Sequence, residues 1–377
     1  MPVTALVDEC PIYKKPSAVP AYYEENAGVD TLRYEEVTDL GGALRTVLAS
    51  PTVASKAWVY NQYDYMVRTS TAVRPGSDAA VVTIHGTRKG LAMTTDCNGR
   101  YVYLDPEVGG RIAVSEAARN IVCSGAKPLA ITDNLNFGSP EKPEIFWQME
   151  RAVDGMAEAC RVLDTPVIGG NVSLYNENAS GAIYPTPVVG MVGLVEDTDH
   201  ITTQAFKQEG DAILLLGVTK AELGGSEFQY AVHGLTEGRP PALDLATEQK
   251  LHDAVLGTIR SGLVRSAHDL SEGGLAAALA ESCISGGIGA NIDWTAGGLR
   301  KDVALFSETQ SRIILTAAPD RAEELKAAVA AYGVPVEIIG TVGGDRLRVS
   351  LDGATALDEA VTELKSVWED AIPCLMK

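Results

Sequence analysis

A polar stretch at residues 196–210 separates two runs of apolar patterning, and the restart beyond it limits the chain to folds built from two successive units. Before the stretch, residues 79–85 and 91–95 read as strands joined by the hairpin candidate His85-Gly86-Thr87-Arg88-Lys89-Gly90. Residues 111–124 put Ala117, Ala118, Ile121 and Val122 on one helical face. Residues 143–163 carry Ile145, Met149, Val153, Met156, Cys160 and Leu163 at three- and four-residue steps, and 187–196 is an apolar strand. After the stretch, 211–218 reads as a strand, 245–260 as a helix closed by Gly262, and 272–285 as an alanine-rich helix. Residues 305–317 are strand-like, 321–332 a helix ended by Gly333, and 336–342 and 346–351 strands. Pro11, Pro16 and Pro20 break up the first seventy residues, which read as a connector leading into a helix near 56–66. Both units mix helices with strands, so the fold class is α+β.

Composition narrows the functional classes. A length of 377 residues suits two domains, and 46% hydrophobic with 21% charged residues supports a substantial core. A net charge of -19, from 31 basic and 50 acidic residues, argues against a nucleic-acid backbone or an anionic membrane as partner. Phosphorylated small molecules stay open, because glycine turns, helix N-termini and bound cations hold them without a basic surface. The six cysteines (Cys10, Cys97, Cys123, Cys160, Cys283 and Cys374) form no CxxC pair and read as reduced thiols. With no signal pattern at the N-terminus and no membrane-length apolar run, a soluble, cytoplasmic protein is expected.

Chemistry-bearing residues gather in six places. In Gly169-Gly170-Asn171-Val172-Ser173 an apolar run stops at two glycines, then offers an amide carbonyl suited to magnesium and a hydroxyl suited to a phosphate. The same segment also fits a tight turn between strands. Asp133 stands in Thr132-Asp133-Asn134-Leu135-Asn136-Phe137-Gly138, where its carboxylate can meet a ribose, a base or a metal, or serve as a turn cap. Asp78, in Ser77-Asp78-Ala79-Ala80-Val81, precedes a strand and is either a metal ligand or a turn residue. Leu223-Gly224-Gly225-Ser226-Glu227 repeats the two-glycine-and-hydroxyl theme. Ser266-Ala267-His268-Asp269-Leu270-Ser271-Glu272-Gly273-Gly274 joins a His-Asp pair to a helix start that can cap or hold an anion. Leu305-Phe306-Ser307-Glu308-Thr309-Gln310-Ser311-Arg312 leads polar groups into a strand. There is no strand–GxGxxG–helix unit, no GK[ST] loop, no His/Cys metal cluster and no serine or cysteine nucleophile motif. Glycine turns, asparagines, hydroxyls and carboxylates suit a magnesium–nucleotide site, where catalysis is mostly positioning and charge neutralisation.

Taken in order, these motifs resemble the larger subunit of phosphoribosylformylglycinamidine synthase. GGNVSLYNE followed by PTPVVGMVG carries the resemblance, with SDAAV, TDNLNFG, LGGSEF, HDLSEGGL and LFSETQSR in register and VWEDAIP near the end. That family duplicates a two-domain, aminoimidazole-ribonucleotide-synthase-like unit, and this chain resembles the second copy. The implied layout is a connector and helical lead-in at 1–70 and an N-terminal, dimerisation-type β-sheet domain at 71–196. A C-terminal α/β sandwich domain at 208–352 and a terminal segment at 353–377 complete it. The resemblance implies ATP-dependent conversion of formylglycinamide ribonucleotide to its amidine (EC 6.3.5.3): ATP phosphorylates the amide oxygen and ammonia displaces the phosphate. It maps ATP binding onto Asp133 and Gly170, Mg2+ onto Asn171 and the ribonucleotide substrate onto Ser173. No catalytic residue maps onto this chain, because the catalytic histidines and the ATP-binding lysine belong to the first copy. The implied partners are that first half, a glutaminase subunit and a small bridging subunit. A pseudo-symmetric second site, built partly from Asp78 and the C-terminal motifs, is expected to hold at most a structural nucleotide. The competing expectations are a stand-alone ATP enzyme of the same superfamily and a non-catalytic nucleotide-binding half.

Overall fold

The computed structural model describes residues 2–377. The first domain is a six-stranded sheet made of β1 (Thr71–Val73), β2 (Ala80–Thr83), β3 (Gly90–Asp96), β4 (Lys127–Asn136), β5 (Val167–Ser173) and β8 (Thr186–Val195). A small hairpin of β6 (Glu177–Asn178) and β7 (Gly181–Ala182) precedes β8. The sheet order is β1-β2-β3-β8-β4-β5, with β4 and β5 parallel and the other pairs antiparallel. Helices Pro106–Cys123 and Pro143–Val162 cover one face. The first starts where it does because Asp105 accepts from the Val108 N–H and Pro106 presets the first turn. The two helices lie very close: a methyl on Gly110 would overlap the Ala152 carbonyl oxygen, and one on Gly155 that of Glu107. Ala117, Ala118 and Ile121 close the core against Ile131, Val189 and Met191. The other face of the sheet is bare, and leaves Met93, Leu129 and Val192 exposed.

The second domain is a three-layer sandwich. Its sheet runs β10-β12-β9-β13-β11-β14-β15. These strands are β9 (Ala212–Leu216), β10 (Ser266–Asp269), β11 (Ala290–Trp294), β12 (Ile313–Ala317), β13 (Val336–Val342), β14 (Arg346–Leu351) and β15 (Ala354–Ala360). Central β9, AILLL, is buried along its whole length because it has helices on both sides. Leu214 and Leu216 pack with helices Leu245–Arg260 and Ala322–Ala330. Ile213 and Leu215 pack with helix Gly274–Gly286 on the other side.

Three elements depart from the sequence reading. The helix near 56–66 contracts to Ala57–Tyr60, and the chain then turns through positive φ at Arg68 and Thr69. The strand at 305–317 starts only at Ile313, because Lys301–Phe306 is helical. Within the supposed connector, Leu40–Leu48 forms a helix capped by Asp39, and it buries Leu44, Val47 and Leu48 in the second domain's core. Helix Val361–Leu375, after β15, also adds Val361 and Leu364 to that core.

Candidate functional site

The four residues singled out for ATP, metal and substrate lie on two neighbouring parallel strands. Register pairs Asp133 with Gly170, Asn134 with Asn171, and Asn136 with Ser173. Because β5 has no partner on its outer side, this is an open sheet edge: Val167, Ile168 and Val172 are exposed, Ile168 by 75%. Gly170 is needed next to Asp133, since a methyl there would overlap Asp133 Oδ1. Partial burial raises the Asp133 pKa from its ordinary value. The Asn171 amide donates to Asn134 Oδ1 at 3.2 Å, which leaves its own carbonyl oxygen free for a cation. Ser173 Oγ lies 3.2 Å from Asn176 Oδ1, inside a turn that the Asn176 amide ties to the Phe137 and Ser173 carbonyls. Strand alternation puts the Asp133–Gly170 pair and the Asn134–Asn171 pair on opposite faces of the sheet. A ligand meeting all four must therefore wrap the open edge.

The remaining motifs converge elsewhere, at the seam between the domains. Arg119, fully buried on helix Pro106–Cys123, donates to Asp269 Oδ1 at 2.6 Å, Glu248 Oε1 at 3.0 Å and Gln310 Oε1 at 2.8 Å. Glu308 accepts from the Glu227 and Gly273 N–H groups, both at 2.7 Å, and meets the Tyr101 hydroxyl. LGGSEF, HDLSEGG and LFSETQSR thus interlock as one polar hub. Their glycines and hydroxyls serve packing and capping: Ser226 caps the helix Glu227–His233.

Next to the hub lies a cavity of about 350 Å³ whose walls include Lys56, Asp78, Asp96, Asn120, His268 and Glu272. His268 bonds Asp78 Oδ1 through Nδ1 (2.9 Å) and Glu281 Oε2 through Nε2 (3.1 Å). Burial opposes its charge, but the two carboxylates outweigh it and raise the imidazole well above its ordinary value. Both ring nitrogens of His268 are thus held by carboxylates. His268 makes no hydrogen bond to adjacent Asp269, which bonds Arg119 instead. Asp78 Oδ2 and Asp269 Oδ2 are buried with no partner. Burial, with Glu272 and Asp269 nearby, pushes Asp96 up to about 7 against the Asn120 hydrogen bond. Orphaned oxygens and crowded acids fit a cation bridged to a ligand's own oxygens. Among the described residues no group of three or more His, Cys, Asp or Glu side chains could hold a metal by itself.

Sequence reasoning missed Lys56, Asp96, Glu116, Asn120 and Glu248. A signal existed for two of them: Glu116 and Asn120 stand close to Arg119, so polar groups interleave with the apolar face Ala117, Ala118, Ile121 and Val122.

Two family models match the chain: the AIR synthase related protein N-terminal domain over residues 76–195 and the C-terminal domain over 208–352. The chain belongs to the AIR synthase related family. Among curated relatives it is 53% identical over 367 residues to the phosphoribosylformylglycinamidine synthase subunit PurL of Alkaliphilus metalliredigens, covering 97% of this chain and 50% of that protein. The chain thus spans about half the length of the curated relative it matches, and is a homologue of the PurL type. Among solved structures, Thermotoga maritima PurL complexed with FGAR shares the fold at a TM-score of 0.73 and 19% identity, covering 91% of this chain and 55% of that one. A chain of a HypE–HypF complex matches at a TM-score of 0.58 and 19% identity, with 80% and 97% covered.

Proposed function

We propose that this chain is the second half of an ATP-dependent synthase that converts formylglycinamide ribonucleotide to formylglycinamidine ribonucleotide. One observation carries the reading: three of the mapped ligand residues lie on the unpaired, partly apolar edge strand β5 and the fourth, Asp133, on the strand beside it, in a chain that matches only half of its curated relative. An edge of that kind calls for a partner. The homologous first half would close it and bring the acid–base groups this chain lacks. Asp133 and Gly170 would then contact ATP, the Asn171 carbonyl oxygen would hold magnesium, and Ser173 would donate to the substrate. Bound magnesium neutralises charge on the transferring phosphoryl group. Ammonia would come from a glutaminase subunit attached through a small bridging subunit, and the chain alone would be inactive. The cavity between the domains would be the pseudo-symmetric counterpart, holding a magnesium nucleotide as a structural element against Asp78.

Co-purification tests the partner. The chain and a complementary first half should elute as one complex, and charge at the edge (Ile168→Lys) should break it. A stable homodimer of this chain that ignores the first half would favour the stand-alone enzyme.

A further inference from the structure

The turn after β5 is closed twice, once by backbone and once by a side chain. Its backbone bonds run from the Phe137 N–H to the Ser173 carbonyl (3.0 Å), from the Asn176 N–H to the Phe137 carbonyl (3.1 Å) and from the Tyr175 N–H to the Gly138 carbonyl (3.0 Å). The carbonyl oxygens of Phe137 and Ser173 are therefore already satisfied. The Asn176 amide nevertheless donates to the same two oxygens, at 3.0 and 2.8 Å. A side chain bonding acceptors that already have partners rescues no orphan; its bonds fix the plane of the amide. That plane lies against the Ser173 hydroxyl, with Oδ1 3.2 Å and Nδ2 3.1 Å from Oγ. Ser173 stands two residues beyond Asn171 on β5, so the residues mapped to substrate and to magnesium share one face of the strand. A serine hydroxyl rotates freely and carries a single proton. Asn176 Oδ1 accepts that proton when no ligand is there. When the proton turns to an oxygen of the ribonucleotide, an Asn176 N–H shared with the Ser173 carbonyl supports Oγ, and a hydroxyl that accepts also donates more strongly.

We propose that Asn176 is a positioning residue for the ribonucleotide: it holds the Ser173 hydroxyl in the orientation from which it donates, without touching the substrate itself. The proposal rests on the reading that Ser173 contacts the ribonucleotide. The turn does not depend on Asn176 for its closure. Besides the backbone bonds, Glu177 accepts from the Ser139 N–H (3.1 Å) and from the Lys142 ammonium (3.0 Å), so the loops after β4 and β5 stay joined when the Asn176 amide is removed.

Steady-state kinetics of the chain reconstituted with a complementary first half, with formylglycinamide ribonucleotide and ATP varied in turn, tests it. Asn176→Ala should raise the KM for the ribonucleotide about three- to tenfold and leave the KM for ATP within about twofold of the parent. A collapsed turn would raise both, since Asp133 and Gly170 stand on the same two strands. Ser173→Ala should raise the ribonucleotide KM at least as much, and adding Asn176→Ala to it should change nothing further, because both changes remove one contact. An unchanged ribonucleotide KM in Asn176→Ala, an equal rise for both substrates, or a further rise in the double variant would each overturn the positioning role. An unchanged ribonucleotide KM in Ser173→Ala would instead remove Ser173 from the substrate site, and with it the reading on which this inference rests.

Discussion

The Asp133 carboxylate lies directly over Gly170, in the space a β-carbon would fill. Gly170→Ala should therefore swing the carboxylate aside without unfolding an exposed strand. In the reconstituted synthase the expected result is a KM for ATP raised about tenfold, equivalent to roughly 1.4 kcal/mol, with thermal stability within a few degrees of the parent. Steady-state kinetics over an ATP series checks it, and an unchanged KM would remove Asp133 from the ATP site.

Asn171 has its amide engaged with Asn134 and its carbonyl oxygen free. Asn171→Ala should lower turnover chiefly through weaker magnesium binding, so raising magnesium should restore part of the rate. A deficit unmoved at saturating magnesium would count against the ligand role.

Arg119 neutralises two buried carboxylates at the domain seam. Arg119→Met strands Asp269, whereas Glu248 keeps His252 and Ser311, and a broken buried pair costs about 3–5 kcal/mol. Urea unfolding should show that loss. Arg119→Lys should recover only part, because one ammonium cannot span Asp269, Glu248 and Gln310 as the guanidinium fork does.

Burial, followed by the charge of Glu272, pushes Glu308 up to about 8 despite its three donors. The folded chain then keeps a proton that the unfolded chain loses from about pH 4.5 upward. Folded pKa exceeds unfolded pKa, so the stability this carboxyl contributes is present at low pH and lost as pH rises towards 8. Glu308→Gln, which cannot ionise, should gain on the parent steadily between pH 5 and 8 and level off above that. Melting temperatures of the two proteins across that range provide the check, and a constant difference would mean Glu308 is already ionised.

Much of this architecture was legible in the residues. Helix Leu245–Arg260 carries its stripe and its Asp244 cap in the sequence, and the AILLL run of β9 has the continuous apolar character of a strand covered on both faces. Helix Leu40–Leu48 was missed because two glycines weaken its propensity and tertiary burial of Leu44 and Val47 supplies what propensity does not. Residues 303–306 are a short apolar run, which periodicity alone cannot assign to helix or strand. At the site, the edge residues were readable because glycine, asparagine and serine stand together in sequence. The seam was not: His268 finds its partner 190 positions away in Asp78, and no local spacing encodes that pairing. The polar hub is a property of the packed domains.

The central claim is that this chain supplies one side of a shared synthase site. An ammonia-dependent assay of formylglycinamidine ribonucleotide formation tests it most directly, run on the chain alone, on a complementary first half alone, and on the two combined. Turnover confined to the combination is the predicted result. Robust turnover by this chain alone would contradict it.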